Sequence, residues 1–289
     1  VLTAVLFLVS PPWAISQEPP PANKDVQASL VAVPAEVPAD ARRYAVLMAG
    51  NRAGVLAAWV TPDGAHHAFF AFNDRGRGPS ITTRAVLDGK GLITQLDASG
   101  NDYLKSPVTE QFRSVDGKAT WKNKAENGEK ALRGAALYAP LDAVLPDETE
   151  AALLAAPGRK LPLLPEGEAS IERVDDRTVD VGGRKEKATL YEEAGFGFTP
   201  GYVWLDENRR LFAAGSDWSA IVREGSESAW PALLEAQKAR ASSRGRETAR
   251  RLQKKLTAPL LIQHARLFDS ETATVRDGMS VRIVGNRIA

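Results

Sequence analysis

At 289 residues, 44% hydrophobic and 25% charged, the chain has a globular composition and can bury a sound core as one large or two ordinary domains. A net charge of +1, with acids and bases balanced along most of the length, excludes the footprint of a nucleic-acid binder; only Lys238 to Lys255 is locally basic. The absence of Cys excludes a disulfide framework and a lipidated cysteine.

Residues Val1 to Val9 are nearly all apolar, and Ala14-Ile15-Ser16 places small residues ahead of Gln17. This pattern predicts residues 1–16 as a secretory signal whose basic start is missing, too short to span a membrane, and hence a periplasmic or secreted protein without a membrane anchor. The missing initiator Met and an unfinished final strand predict a chain cut at both ends. Residues 17–43, rich in Pro, Ala and Glu, predict an extended linker with little fixed structure.

Residues 44–225 predict an antiparallel β domain, one sheet curled over a core. Tyr44 to Met48, Leu56 to Val60 and Ala68 to Phe72 are short apolar runs separated by Gly-rich and Pro62-Asp63-Gly64 turn signals. Further strands are predicted at Leu92 to Leu96, Val174 to Val181, Ala188 to Tyr191, Tyr202 to Leu205 and Leu211 to Ala214. A hairpin turn at Asp206-Glu207-Asn208 joins the last two, with Trp204 and Phe212 available to pack across them. One helix interrupts at Pro146 to Ala156, with Glu148 and Glu150 in the first turn where the helix dipole favours acids.

Two polar clusters in this domain carry candidate chemistry. Asn73, Asp74, Arg75 and Arg77 lie among flexible glycines, a composition suited to gripping a carboxylate or phosphate; the competing reading is a solvated loop in which Asp74 pairs with an Arg. In the second cluster Asp102, Glu110 and Glu126 offer paired carboxylates for acid–base work. Equally, Asp102 makes an Asx-turn, Lys105 pairs with Glu110, and Tyr103 and Phe112 are core. His66 and His67 are adjacent, so on a strand they point to opposite faces and do not share a metal. No G-x-S-x-G elbow, P-loop or dinucleotide fingerprint is present. The residues assign no catalytic or metal-binding position.

Residues 226–256 predict a linking helix capped by Ser228, with Pro231 in its first turn and an apolar stripe of Trp230, Leu233, Leu234, Ala241 and Leu252. Residues 257–289 predict a small β-meander, with a polar turn at Asp269-Ser270-Glu271 and tight turns expected at Asp277-Gly278 and Gly285-Asn286. The predicted fold class is therefore mainly β (α+β).

The meander's "I-x-x-A-R-x-F-D", "D-G-x-x-V-x-I" and "G-N-R-I-A" resemble the N-terminal edge of the amidohydrolase superfamily, especially its imidazolonepropionase-like members. "LLPEGEA" at Leu163 to Ala169 and "FTPGYVWLDENRRLFA" at Phe198 to Ala213 resemble an extra domain that precedes the barrel in some exported members. The resemblance implies that the meander begins a small β-sandwich. It further implies a (β/α)₈ barrel absent from this chain, a divalent metal (zinc) in the full-length protein, and hydrolysis of carbon–nitrogen bonds in a small-molecule substrate. The family's His-x-His ligands are missing here, since the only histidines are His66, His67 and His264. The alternative is a non-catalytic periplasmic binding or interaction module, which an apolar cavity in the sheet with Arg75 or Arg77 at its mouth would mark.

Overall fold

The computed structural model describes residues 31–253 and 258–289. The predicted export signal, most of the predicted linker, and Lys254 and Lys255 lie outside them. The chain divides into two compact units at Trp230/Pro231.

The first unit runs through nine strands: β1 (Arg42–Met48), β2 (Asn51–Val60), β3 (His66–Phe72), β4 (Ser80–Leu87), β5 (Ile93–Asn101), β6 (Pro107–Val115), β7 (Lys118–Lys122), β8 (Asn127–Ala131) and β9 (Leu137–Tyr138). Helix α1 (Glu148–Ala155) follows, and then β10 (Lys160–Leu164), β11 (Glu168–Val181), β12 (Arg184–Ala194), β13 (Gly201–Leu205), β14 (Leu211–Gly215) and β15 (Ser219–Arg223). All fifteen strands form one sheet in the order β8-β7-β6-β5-β4-β3-β2-β1-β15-β14-β13-β12-β11-β10-β9. Every pairing is antiparallel except the short β9–β10 contact.

The sheet is therefore two meanders joined back to back where β15 returns to pair with β1, Val46 opposite Ile221. Strand twist and an apolar inner face curl it. No backbone ladder joins its two ends, β8 and β9, among the described residues. Side chains bridge them instead. Tyr138 of β9 stacks on Phe112 of β6 with ring centroids 4.3 Å apart, and Lys130 of β8 donates to the Pro165 carbonyl at 2.8 Å.

The interior follows the period-two alternation of strands. Tyr44, Leu56, Ala68, Val203, Leu205 and Leu211 form one buried cluster; Leu96, Phe112, Trp121, Tyr138 and Leu164 form a second beside the seam. Helix α1 adds Ala152 and the fully buried Leu153 to the first cluster. Burying one such leucine contributes about 1.5–3 kcal/mol.

The linker expectation needs correction at its C-terminal end. The outer face of β2 and β3 is itself apolar at Val55, Ala57, Phe69 and Ala71, and Val37 and Ala41 are buried against it. An apolar face on both sides of the sheet requires a cover, and the chain ahead of β1 supplies it. Strands β4, β6, β7, β8, β9, β10 and β15 add to those expected from the sequence.

In the second unit, α2 (Trp230–Leu252) starts after a 3₁₀ turn at Glu227–Ala229, so Ser228 lies within that turn and does not cap the α-helix. The predicted apolar stripe is short: Leu233 is fully buried while Ala241 and Leu252 are exposed. A separate three-stranded antiparallel sheet follows, β16 (Leu260–Asp269), β17 (Thr274–Val284) and β18 (Arg287–Ile288). The turn expected at Asp277-Gly278 is instead a bulge inside β17. Ala265 pairs with Met279 and Leu267 with Arg276, so Arg266 faces two residues, and Gly278 takes the left-handed φ of 68° that such a bulge requires. Arg266 Nε donates to Asp277 Oδ1 there at 2.8 Å. The hairpin turn lies earlier, at residues 270–273, where the polar residues Asp269 to Glu271 predicted one, and Gly285-Asn286 turns as expected.

Candidate functional site

The two polar clusters singled out in the sequence meet at one mouth of the curled sheet, because antiparallel pairing brings the β3–β4 and β5–β6 loops to the same end. In the first loop Asp74 and Arg77 exchange both backbone hydrogen bonds across Arg75 (φ 54°) and Gly76 (φ 86°). Two successive positive φ values make the tight reversal that a glycine favours. Asn73 Oδ1 accepts from the Gly76 N–H at 2.7 Å and closes it.

The loops are bonded to each other. Gly78 N–H donates to the Tyr103 carbonyl at 2.9 Å, and the Gly78 carbonyl accepts from Lys105 Nζ at 2.7 Å and from the Asn101 side-chain amide at 3.3 Å. Gly78 is obligatory at this contact: its φ is 129°, and an added Cβ would lie 2.1 Å from the Phe72 carbonyl oxygen.

Asp74 is the hub of the rim. Its carboxylate accepts from Arg75 Nε at 2.9 Å and from the Tyr103 hydroxyl at 2.5 Å, and these bonds, that from Arg75 foremost, hold its carboxyl below the usual range. The same bond holds the Tyr103 hydroxyl protonated to higher pH. Arg77 is free of that carboxylate clasp and lies over the Tyr103 ring, 5.4 Å from its centroid.

Below this rim the inner face opens into a cleft of about 350 Å³ lined by Val46, Met48, Phe70, Phe72, Ala214 and Ile221, with Tyr103 on one side. These residues come from β1, β3, β14 and β15 and share the inward-facing set of the alternation. Trp218, in the β14–β15 turn, stands at the lip and is 53% exposed. Its backbone carbonyl is fixed by the Ala49 N–H at 2.7 Å. The cleft walls and Trp218 were not singled out in the sequence, because each reads locally as ordinary core or turn. The inward alternation of Phe70 and Phe72 was the available signal.

The other candidate residues separate. Asp102 makes the Asx-turn, accepting from Leu104 N–H at 2.9 Å and Ser106 N–H at 3.0 Å, and pairs with Lys124 at 3.2 Å. Lys105 bonds Gly78 and not Glu110. Glu110 is fully buried on β6, where it accepts from the Tyr138 hydroxyl and from the backbone N–H groups of Leu141, Asp142 and Ala143. Glu126 is exposed in the β7–β8 turn. The three acids thus serve a turn, the seam and the surface in place of one acid–base pair. His66 and His67 do point to opposite faces: His67 stacks on Trp59 at 5.3 Å, and His66 meets Glu148 inside. Among the described residues no group of three or more His, Cys, Asp or Glu converges as a metal site.

No family model matches the chain, and no curated protein is similar to it. Among solved structures it is similar to the crystal structure of a β-barrel-like protein of a domain of unknown function, DUF1849, from Brucella abortus. The TM-score is 0.41 and the identity 14%, over 63% of this chain and 95% of that one. The amidohydrolase resemblance is corrected accordingly: the match found is to a β-barrel-like protein of unknown function, and nothing found supports an amidohydrolase. The hydrolase activity and metal dependence implied by that resemblance are withdrawn with it, and nothing found supports the export signal read from residues 1–16.

Proposed function

We propose that the curled sheet is a binding module that takes the apolar part of a small amphipathic anion into its mouth. The observation that carries this reading is the junction of an apolar cleft with a guanidinium: Tyr103 lines the cleft, and Arg77 lies over the Tyr103 ring. A cleft of about 350 Å³ falls at the small end of the range for ligand pockets, roughly 300–1,000 Å³, whose walls are mainly apolar with a few orienting polar groups. Arg77 supplies the orienting charge, since Asp74 holds Arg75 and leaves the second guanidinium to pair with a carboxylate.

The experiment is a titration of the full chain with decanoate, followed by tryptophan fluorescence and calorimetry, with decyltrimethylammonium as the control of opposite charge. Saturable binding of the carboxylate is expected, weakened about tenfold or more in Arg77→Gln and abolished in Ala214→Phe, which fills the cleft. Equal binding of both amphiphiles, or binding indifferent to Ala214→Phe, would overturn the reading.

A further inference from the structure

The opposite end of the curled sheet carries a second cleft, of about 360 Å³, with different chemistry. It is built where β1 and β3 begin, where α1 starts and where the β13–β14 turn crosses. Its floor is apolar, from Val60, Leu87, Ala151 and Leu154, and its wall is charged, from Arg42, His66, Asp147, Glu148, Arg209 and Arg210.

The charged wall is organised by two buried acids. Asp147 accepts from the Leu211 N–H at 2.8 Å, and its Oδ2 is shared by the Arg42 guanidinium and by Arg210 Nη1 at 3.4 Å. One buried carboxylate oxygen therefore draws two guanidiniums together. Each retains N–H donors beyond the one given to Asp147, because a guanidinium carries five. Glu148 lies 2.7 Å from His66 Nδ1. Burial drives its carboxyl up, but the bonds from His66 and the Asp147 N–H outweigh burial and hold it ionised. With Nδ1 engaged, Nε2 is the His66 nitrogen left for a ligand: it donates to an anion when the imidazole is protonated, and accepts from the ligand's acid hydroxyl when it is neutral.

Three guanidiniums face two carboxylates in this cleft, so it carries a net positive charge even with His66 neutral. Asp147 and Glu148 are already occupied by these partners, whereas Arg210 is 54% exposed at its side chain and Arg42 31%. From this arrangement we infer a second ligand site, for a compact molecule that places one carboxylate or phosphate group against Arg42, Arg210 and His66 and a short apolar arm on the floor of Val60, Leu87 and Leu154. It lies at the end of the sheet away from Arg77 and does not rest on the reading of the first mouth.

The test is calorimetric titration of the full chain with phenylphosphate, benzoate and inorganic phosphate. At least one of the two aromatic anions should bind saturably, and which one does so identifies the acid group. Phenylphosphate binding more tightly than inorganic phosphate would confirm the apolar arm; equal affinity would remove it. With the first cleft closed by Ala214→Phe, Arg210→Gln and His66→Gln should each weaken the remaining binding about tenfold or more. Thermal melts of each variant establish that the fold persists. The inference is overturned if neither aromatic anion binds the Ala214→Phe protein, or if adding Arg210→Gln to that protein, still folded, leaves binding as it was.

Discussion

The Tyr138 hydroxyl donates to Glu110 Oε1 at 2.8 Å, and this bond joins the two halves of a sheet that, among the described residues, has no backbone ladder across its seam. Glu110 sits at an inward position of β6, between Val108 and Phe112, where an apolar residue would ordinarily stand. Its two oxygens also receive the N–H groups of Leu141, Asp142 and Ala143, so one carboxylate satisfies the backbone of the segment after β9. Glu110→Ala leaves four donors without their acceptor and should cost about 3–5 kcal/mol, whereas Tyr138→Phe keeps the ring stack and should cost about 1 kcal/mol. Urea denaturation midpoints decide it; a loss below about 1 kcal/mol in Glu110→Ala would mean that water substitutes for the carboxylate.

Two half-buried acids predict how stability responds to pH. Glu150 of α1 and Glu193 of β12 each keep one buried carboxyl oxygen without a hydrogen-bond partner. Burial raises both carboxyls, Glu193 to about 7 against an ordinary 4.5, and Glu193 raises Glu150 further. Both stay protonated in the folded chain while the unfolded chain ionises them. Their contribution is therefore full below about 4.5 and is lost as pH rises through about 7. The urea midpoint should fall between pH 5 and pH 8, and Glu193→Gln should flatten that fall. An unchanged slope in the variant would refute the assignment.

The rim depends on one glycine more than on its neighbour. Gly78→Ala drives a Cβ to 2.1 Å from the Phe72 carbonyl oxygen, while at Gly76 an added Cβ meets nothing within 4 Å. Gly76→Ala should cost about 1 kcal/mol from its positive φ alone, and Gly78→Ala about 3 kcal/mol or more with loss of decanoate binding. Equal costs in denaturant melts would show that the β3–β4 loop relaxes freely.

Leu153 ties α1 into the interior. Leu153→Ala should destabilise by about 2–5 kcal/mol, and truncation of Leu104, 68% exposed on the β5–β6 loop, by less than about 0.5 kcal/mol. A Leu153 variant as stable as the parent would place α1 outside the cooperative fold.

Much of the strand structure was legible because its alternation is clean. Tyr44 to Met48, Ala68 to Phe72 and Tyr202 to Leu205 read as strands and are strands, and the acids that begin α1 marked its start. β6 did not read so. Glu110 at a core position and Thr109 and Gln111 at the outer ones disguise the alternation as a polar loop, and the acid is tolerated only because β9 and the segment after it return four donors to it. Asp277-Gly278 misled in the opposite direction: the dipeptide supplies a positive φ, which serves a bulge as well as a turn.

The rim residues Asn73, Asp74, Arg75, Arg77, Asp102 and Lys105 were visible as two clusters, and their union was not. Local composition determines that a strand ends, that glycines permit a tight reversal and that Asp102 folds onto its own backbone, because those interactions span a few residues. Whether two such loops meet depends on antiparallel register across β4 and β5, and the clefts depend on strands more than a hundred residues apart closing on one another. By itself the sequence determined a mainly β chain with an inward apolar set and the placement of His66 and His67 on opposite faces. Only the tertiary structure decided that Arg77 lies over Tyr103 beside an apolar cleft, and that Asp147 gathers Arg42 and Arg210 at the other end. The physical reason is that charge pairing and cavity walls are set by proximity in space, which no periodicity along the chain encodes.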